Sequence, residues 1–105
     1  MAFQRVMALD ELWSGEMVAR VVEGKKVLVL RLGDEVYAYE DRCAHQGVAL
    51  SEGRLDGDVL TCSAHHYQYD ARSGRGVNPK NLCLVAYEVK LEAGEVLVDV
   101  ARRRS

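Results

Sequence analysis

Cys43-Ala44-His45 and Cys62-Ser63-Ala64-His65, separated by the sixteen residues between His45 and Cys62, decide how the rest of the chain is read. Each short group joins one thiol to one imidazole, as a metal centre requires when two separate loops must each supply one sulfur and one nitrogen ligand. The two ligands of a pair stand too close in sequence to lie one turn apart on a helix, so each pair is expected at the tip of a tight turn between strands. A Cys2His2 set suits tetrahedral zinc, and it suits a [2Fe-2S] cluster in which two histidines replace two cysteines on one iron. Zinc fingers group Cys with Cys and His with His, at spacings this chain lacks. The candidate ligands are Cys43, His45, Cys62 and His65.

Outward from these pairs, the sequence is a succession of short β-prone runs. Phe3 to Met7 predicts a first strand, and Leu9-Asp10-Glu11-Leu12-Trp13 a single helical turn capped by Asp10 and ended by Ser14-Gly15. Met17 to Val22 and Lys25 to Leu32, both rich in Val and joined at Glu23-Gly24, predict a hairpin. After a turn at Gly33-Asp34, a strand from Glu35 to Glu40 leads directly into the first ligand pair. Leu50-Ser51-Glu52-Gly53 reads as a loop, and Asp56-Gly57-Asp58 as a turn ahead of Val59-Leu60-Thr61, which delivers Cys62 at its end. Tyr67 to Asp70 alternates as a strand, Ser73-Gly74-Arg75-Gly76 turns the chain, and Asn78-Pro79 is a rigid element. Leu84 to Lys90 and Glu95 to Ala101, joined around Ala93-Gly94, predict a closing hairpin. About eight short strands, glycine turns and no long helix indicate an all-β sandwich or barrel.

At 105 residues the chain makes one domain, residues 1–105, large enough for a small core but not for two. The part that would carry the metal spans about residues 41–80 of it. No apolar run approaches the roughly eighteen residues needed to span a bilayer. The N-terminal Met1-Ala2-Phe3-Gln4-Arg5 lacks a signal peptide's apolar run, so the expected location is cytoplasmic. Three cysteines, two of them assigned to metal, leave no disulfide framework, in keeping with a reducing compartment. A net charge of −2, with acids and bases interspersed, argues against nucleic acid as a partner. The one like-charge run, Arg102-Arg103-Arg104, reads as a solvated tail.

The C-x-H…C-x-x-H order resembles the Rieske iron–sulfur family. The likeness extends to Leu50-Ser51-Glu52-Gly53, Asp70…Ser73-Gly74 and Pro79, which look like that family's cluster-covering loops. It implies a Rieske-type antiparallel β sandwich or barrel with a small cluster-binding subdomain, holding one [2Fe-2S] cluster through Cys43, His45, Cys62 and His65. High-potential respiratory members carry a further cysteine in each ligand loop and join the two in a disulfide. Val48 and Ala64 occupy the matching positions here, and Tyr67 replaces a hydroxyl residue, so the resemblance implies the lower-potential, ferredoxin-like branch.

Over nearly the full length, Phe3, Leu9-Asp10-Glu11-Leu12-Trp13, Gly15-Glu16-Met17, Cys43-Ala44-His45-Gln46 and Asn78-Pro79…Cys83-Leu84…Tyr87 resemble the Rieske ferredoxins of toluene and alkene monooxygenases. Such ferredoxins carry electrons from a flavoprotein NADH reductase to a di-iron hydroxylase. Ala44 stands where that branch has proline, and His66-Tyr67 where it has Leu-Trp, both beside the cluster.

Charge explains the use of histidine. Two ferric ions, two sulfides, two thiolates and two neutral imidazoles sum to zero, so an electron is easier to add than to an all-cysteine centre. His65 and His66 are adjacent and only one fits the ligand position; the spacing selects His65. Cys83, between Leu82 and Leu84, is expected to be a buried inert thiol. Trp13 and the tyrosines are expected to pack in the core and loops, and Gln46 and Gly47 to shape the first ligand loop.

The chain is therefore expected to be an electron carrier rather than an enzyme. A complete Rieske oxygenase also needs a mononuclear iron held by two histidines and a carboxylate, and only His66 remains once His45 and His65 are used. The first reading is a monomeric ferredoxin passing electrons to a di-iron hydroxylase. The alternatives are a ferredoxin for the terminal component of a Rieske dioxygenase and, in a different class, a zinc-stabilised binding module. Partners of either ferredoxin would dock at an exposed tip formed by the ligand loops.

Overall fold

The computed structural model describes residues 3–42, 49–62, 67–78 and 82–103, and within them the chain is all-β with two single 3-10 turns. Ten strands follow in order: β1 (Gln4–Ala8), β2 (Met17–Val22), β3 (Lys25–Leu32), β4 (Glu35–Glu40), β5 (Arg54–Asp56), β6 (Val59–Thr61), β7 (Gln68–Asp70), β8 (Gly76–Asn78), β9 (Ala86–Glu92) and β10 (Glu95–Arg103). They form an antiparallel six-stranded sheet, ordered β1-β10-β9-β4-β3-β2, and a four-stranded sheet, ordered β5-β6-β7-β8. The large sheet curls so that its outer strands approach each other, and the Gln4 side-chain Nε2 donates to Glu23 Oε2 at 3.1 Å across the seam.

The run Val27-Leu28-Val29-Leu30 explains why the two sheets stack. All four residues are fully buried, because β3 is covered on both faces. Successive side chains of a strand point to opposite faces. Val27 and Val29 join Met7, Val36, Ala38 and Val96 inside the curled sheet. Leu28, Leu30 and Tyr39 lie on the other face, in a second core with Leu60, Cys62 and Tyr69 of the small sheet. The Tyr39 hydroxyl donates to the Ala71 carbonyl at 2.6 Å, joining the sheets by a buried hydrogen bond.

The β2–β3 hairpin turns at Glu23-Gly24 and the β9–β10 hairpin at Ala93-Gly94, each with both central residues at positive φ, as a type I′ turn requires. Several expectations are corrected. Asp10 caps nothing: the 3-10 turn Leu9–Glu11 starts from Ala8, whose amide donates to Glu11 Oε1 at 3.2 Å. Leu50–Glu52, expected as plain loop, is the second 3-10 turn. The strand count rises to ten, partly because β8 is a three-residue strand too short to leave a periodic signal. Trp13 is 73% exposed, since Leu12 takes the buried position beside it. Cys83 is also exposed, because Leu82 and Leu84 turn inward and an extended chain sends the residue between them outward. The core assignment holds for Tyr39, Tyr69 and Tyr87, all buried.

Candidate metal centre

Two strand ends carry the candidate ligand loops. β4 ends at Glu40, whose amide donates to the Val85 carbonyl at 2.8 Å, and the next amide, Asp41, donates to Lys26 O at 3.0 Å. The chain then enters the first ligand segment. After that segment the turn Leu50–Glu52 drives Leu50 fully into the core between the sheets. Asp41, 6% exposed, spans the base of that excursion: its two carboxylate oxygens accept from the Ser51 amide and the Ser51 hydroxyl, each at 2.8 Å.

The second loop leaves β6 after Thr61. Cys62 is fully buried in the intersheet core, and its amide donates to the Tyr67 carbonyl at 2.7 Å, closing the loop at its base. The alternation of β6 sets this orientation: Leu60 and Cys62 point inward, while Val59 and Thr61 are half-buried. Gly53 keeps the two loops close, because a Cβ at that position would stand 2.0 Å from the Thr61 carbonyl oxygen. The residue before the second pair is therefore packed directly against the turn that ends the first loop.

Of the four sequence-predicted ligands, Cys62 is the one within the described residues, where it is buried just after the end of β6. Cys43, His45 and His65 lie outside the described residues, as do Gln46, Gly47, Val48, Ala64, His66 and Pro79. Two thiols and two imidazoles are a donor set that fits an iron–sulfur centre with histidine on one iron, and the buried Cys62 would supply one soft ligand in a water-excluded position. The Asp41–Ser51 pair is a feature of the site that spacing alone did not single out. The only sequence signal for it was an acid two residues before Cys43.

Residues 2–88 match the Rieske [2Fe-2S] domain. The chain belongs to that family. It is a Rieske ferredoxin, an electron carrier that holds a [2Fe-2S] cluster, and its two-sheet architecture is the Rieske ferredoxin fold. It is 43% identical over 94 residues to the ferredoxin component of the alkene monooxygenase system of Xanthobacter autotrophicus, spanning 89% of this chain and 77% of that protein. It is 38% identical over 102 residues to the ferredoxin component of biphenyl 2,3-dioxygenase of Rhodococcus jostii, spanning 95% and 94% of the two chains. Among solved structures, the ferredoxin of carbazole 1,9a-dioxygenase from Nocardioides aromaticivorans superposes with a TM-score of 0.85 at 34% identity, covering 93% of this chain and 97% of that one. A chain in the complex of oxygenase and ferredoxin of carbazole 1,9a-dioxygenase superposes with a TM-score of 0.87 at 33% identity, covering 98% and 96%. The Rieske ferredoxin described here has no helix long and apolar enough to cross a membrane among its described residues.

Proposed function

We propose that this Rieske ferredoxin carries single electrons from a flavoprotein NADH reductase to the di-iron hydroxylase of an aromatic or alkene monooxygenase, through a cluster held by Cys43, His45, Cys62 and His65. The observation that carries the ligand assignment is Cys62, buried at the end of β6 in a loop closed by its own amide. The monooxygenase branch is supported by the 43% identity to an alkene monooxygenase ferredoxin. A second reading, the ferredoxin of a ring-hydroxylating dioxygenase, has its own support in the 38% identity to a biphenyl dioxygenase ferredoxin.

When bound, the cluster supplies a one-electron couple whose potential is raised by its two imidazole ligands above that of an all-cysteine ferredoxin. The protein's part is to bind and to insulate. Cys62 and the intersheet core exclude water on the protein side, while the paired loops are held by Asp41 and by the Cys62–Tyr67 backbone bond. The reading takes residues 1–105 as one monomeric domain of the cytoplasm, with residues 41–80 as its cluster-binding part, and has partners dock briefly at the ligand loops through a small interface.

An electron paramagnetic resonance spectrum of the dithionite-reduced protein tests the ligands. A rhombic signal with average g below that of all-cysteine [2Fe-2S] centres is expected, lost in His65→Ala and retained in His66→Ala. A colourless protein with stoichiometric zinc and no sulfide would overturn the assignment. Reconstitution with a reductase and either a di-iron hydroxylase or a dioxygenase terminal component tests the partner. Turnover with the first alone is expected, and turnover with the second alone would select the dioxygenase reading.

A further inference from the structure

We propose that Asp41 is a positioning residue for the cluster, clamping the first ligand loop to the strand that carries the second. This rests on the ligand reading above and extends it to a residue that need not touch the metal. Asp41 directly follows β4 and is held to the large sheet by the hydrogen bond its backbone amide donates to Lys26 O. It is almost fully buried, and both of its oxygens are committed to one residue, Ser51, at hydrogen-bonding distance. Asp41 and Ser51, which flank residues 42–50 in sequence, are thus joined by a two-point contact.

Ser51 belongs to the turn Leu50–Glu52, which is rigid for reasons of its own. The Gly53 amide donates to Leu50 O at 2.9 Å, and Leu50 is anchored in the intersheet core. Gly53 then lies against the Thr61 carbonyl so closely that no side chain fits between them. Thr61 is bonded in sequence to Cys62. A continuous path of contacts therefore runs from Asp41 through Ser51, the turn and Gly53 to Thr61 and the Cys62 thiol.

A four-ligand centre shared between two loops depends on their separation, and groups that orient metal ligands are commonly worth 10- to 100-fold in metal affinity. An ordinary loop cap would stabilise the fold without governing cluster retention. Asparagine separates geometry from charge: its amide oxygen accepts from the Ser51 amide and its amide nitrogen donates to the Ser51 hydroxyl, preserving both contacts.

The test is the rate at which the iron-loaded, full-length protein releases iron to an excess of bathophenanthroline under reducing conditions, with thermal unfolding followed in parallel by circular dichroism. Iron and acid-labile sulfide are first measured in the wild-type protein. Asp41→Ala is expected to release iron about 10- to 100-fold faster than wild type. Ser51→Ala, which loses only the hydroxyl contact, should show a smaller acceleration, and Asp41→Asn a rate close to wild type. The double variant Asp41→Ala/Ser51→Ala should lose iron no faster than Asp41→Ala, since both remove one clamp. A folded Asp41→Ala variant that holds iron as wild type does overturns the inference, and so does an Asp41→Asn variant as leaky as Asp41→Ala. If Asp41→Ala does not fold, Ser51→Ala decides: faster release supports the clamp and an unchanged rate overturns it. Wild-type protein with zinc in place of iron and sulfide fails the ligand reading itself, a result visible before any chelator is added, and overturns the clamp with it.

Discussion

At the scale of single residues, two cysteines show how position outweighs chemistry. Cys62 and Cys83 both have leucine at a neighbouring or near-neighbouring strand position, yet Cys62 is buried and Cys83 is exposed. The difference is one of parity. Cys62 shares the inward phase of Leu60, whereas Cys83 falls between two inward leucines and takes the outward phase. A maleimide should therefore modify Cys83 in the folded, loaded protein while leaving Cys62 untouched, and the labelled protein should keep its paramagnetic signal. Mass spectrometry after digestion reads which thiol reacted. Modification at Cys62, or loss of the signal on labelling Cys83, would show that the two environments are reversed. Cys83 also marks a limit of apolar flanking as a signal: flanking by leucine shows that a strand is near a core, and only the phase of alternation shows which residues face it.

At the scale of elements, the hairpins were the most legible part of the chain. The bounds of β2, β3 and β4 are those expected from the Val-rich runs and the Glu23-Gly24 and Gly33-Asp34 turns. Turn chemistry explains this success. The Glu23-Gly24 connection uses two positive φ angles, the second met by glycine without strain, and Gly33-Asp34 uses one, taken by its glycine. The first position of the β9–β10 turn is less well served: Ala93 sits at φ 53°. Left-handed backbone costs a non-glycine residue about 1 kcal/mol, and asparagine tolerates it better than alanine. Ala93→Asn should accordingly raise the thermal midpoint by a few degrees, on the basis of about 0.5–1 kcal/mol recovered in one turn. An unchanged or lowered midpoint by calorimetry would count against this account. β8 and the turn Leu50–Glu52 were not legible, because a three-residue element is defined by its partners: Gln68 and Tyr69 pair with β8, and the intersheet core receives Leu50.

At the scale of the whole molecule, β3 is the common wall of two cores. Val27 and Val29 fill the curled sheet, and Leu28, Leu30 and Leu32 face the small sheet that leads into Cys62. Truncating either face should cost stability, but the two faces should differ in what else they affect. Leu30→Ala opens a cavity in the intersheet core and is expected to destabilise the protein by about 2–5 kcal/mol and to speed iron loss. Val29→Ala, in the other core, should destabilise by a lesser amount and leave iron retention closer to wild type. Equal effects of the two substitutions on iron release, at matched loss of stability in denaturant titrations, would show that the small sheet does not depend on the face it rests against. Surface ion pairs contribute little to this balance. Arg54–Asp56 at 2.8 Å and Lys90–Glu92 at 3.0 Å are both exposed, and such pairs are worth about 0–1 kcal/mol.

The sequence by itself determined the family and the class of fold: the C-x-H…C-x-x-H order and the residues around it carry the Rieske likeness, and the short Val-rich runs with glycine turns specify strands and hairpins. Both are local properties, written in neighbouring residues. Tertiary structure alone decided that Val27-Leu28-Val29-Leu30 is buried on both faces, that Trp13 and Cys83 face outward, and that Asp41 reaches Ser51 across ten positions of sequence. Each of these depends on which surfaces meet when the two sheets stack. Strand periodicity divides a run into two faces, but it does not say whether one face or both will be covered.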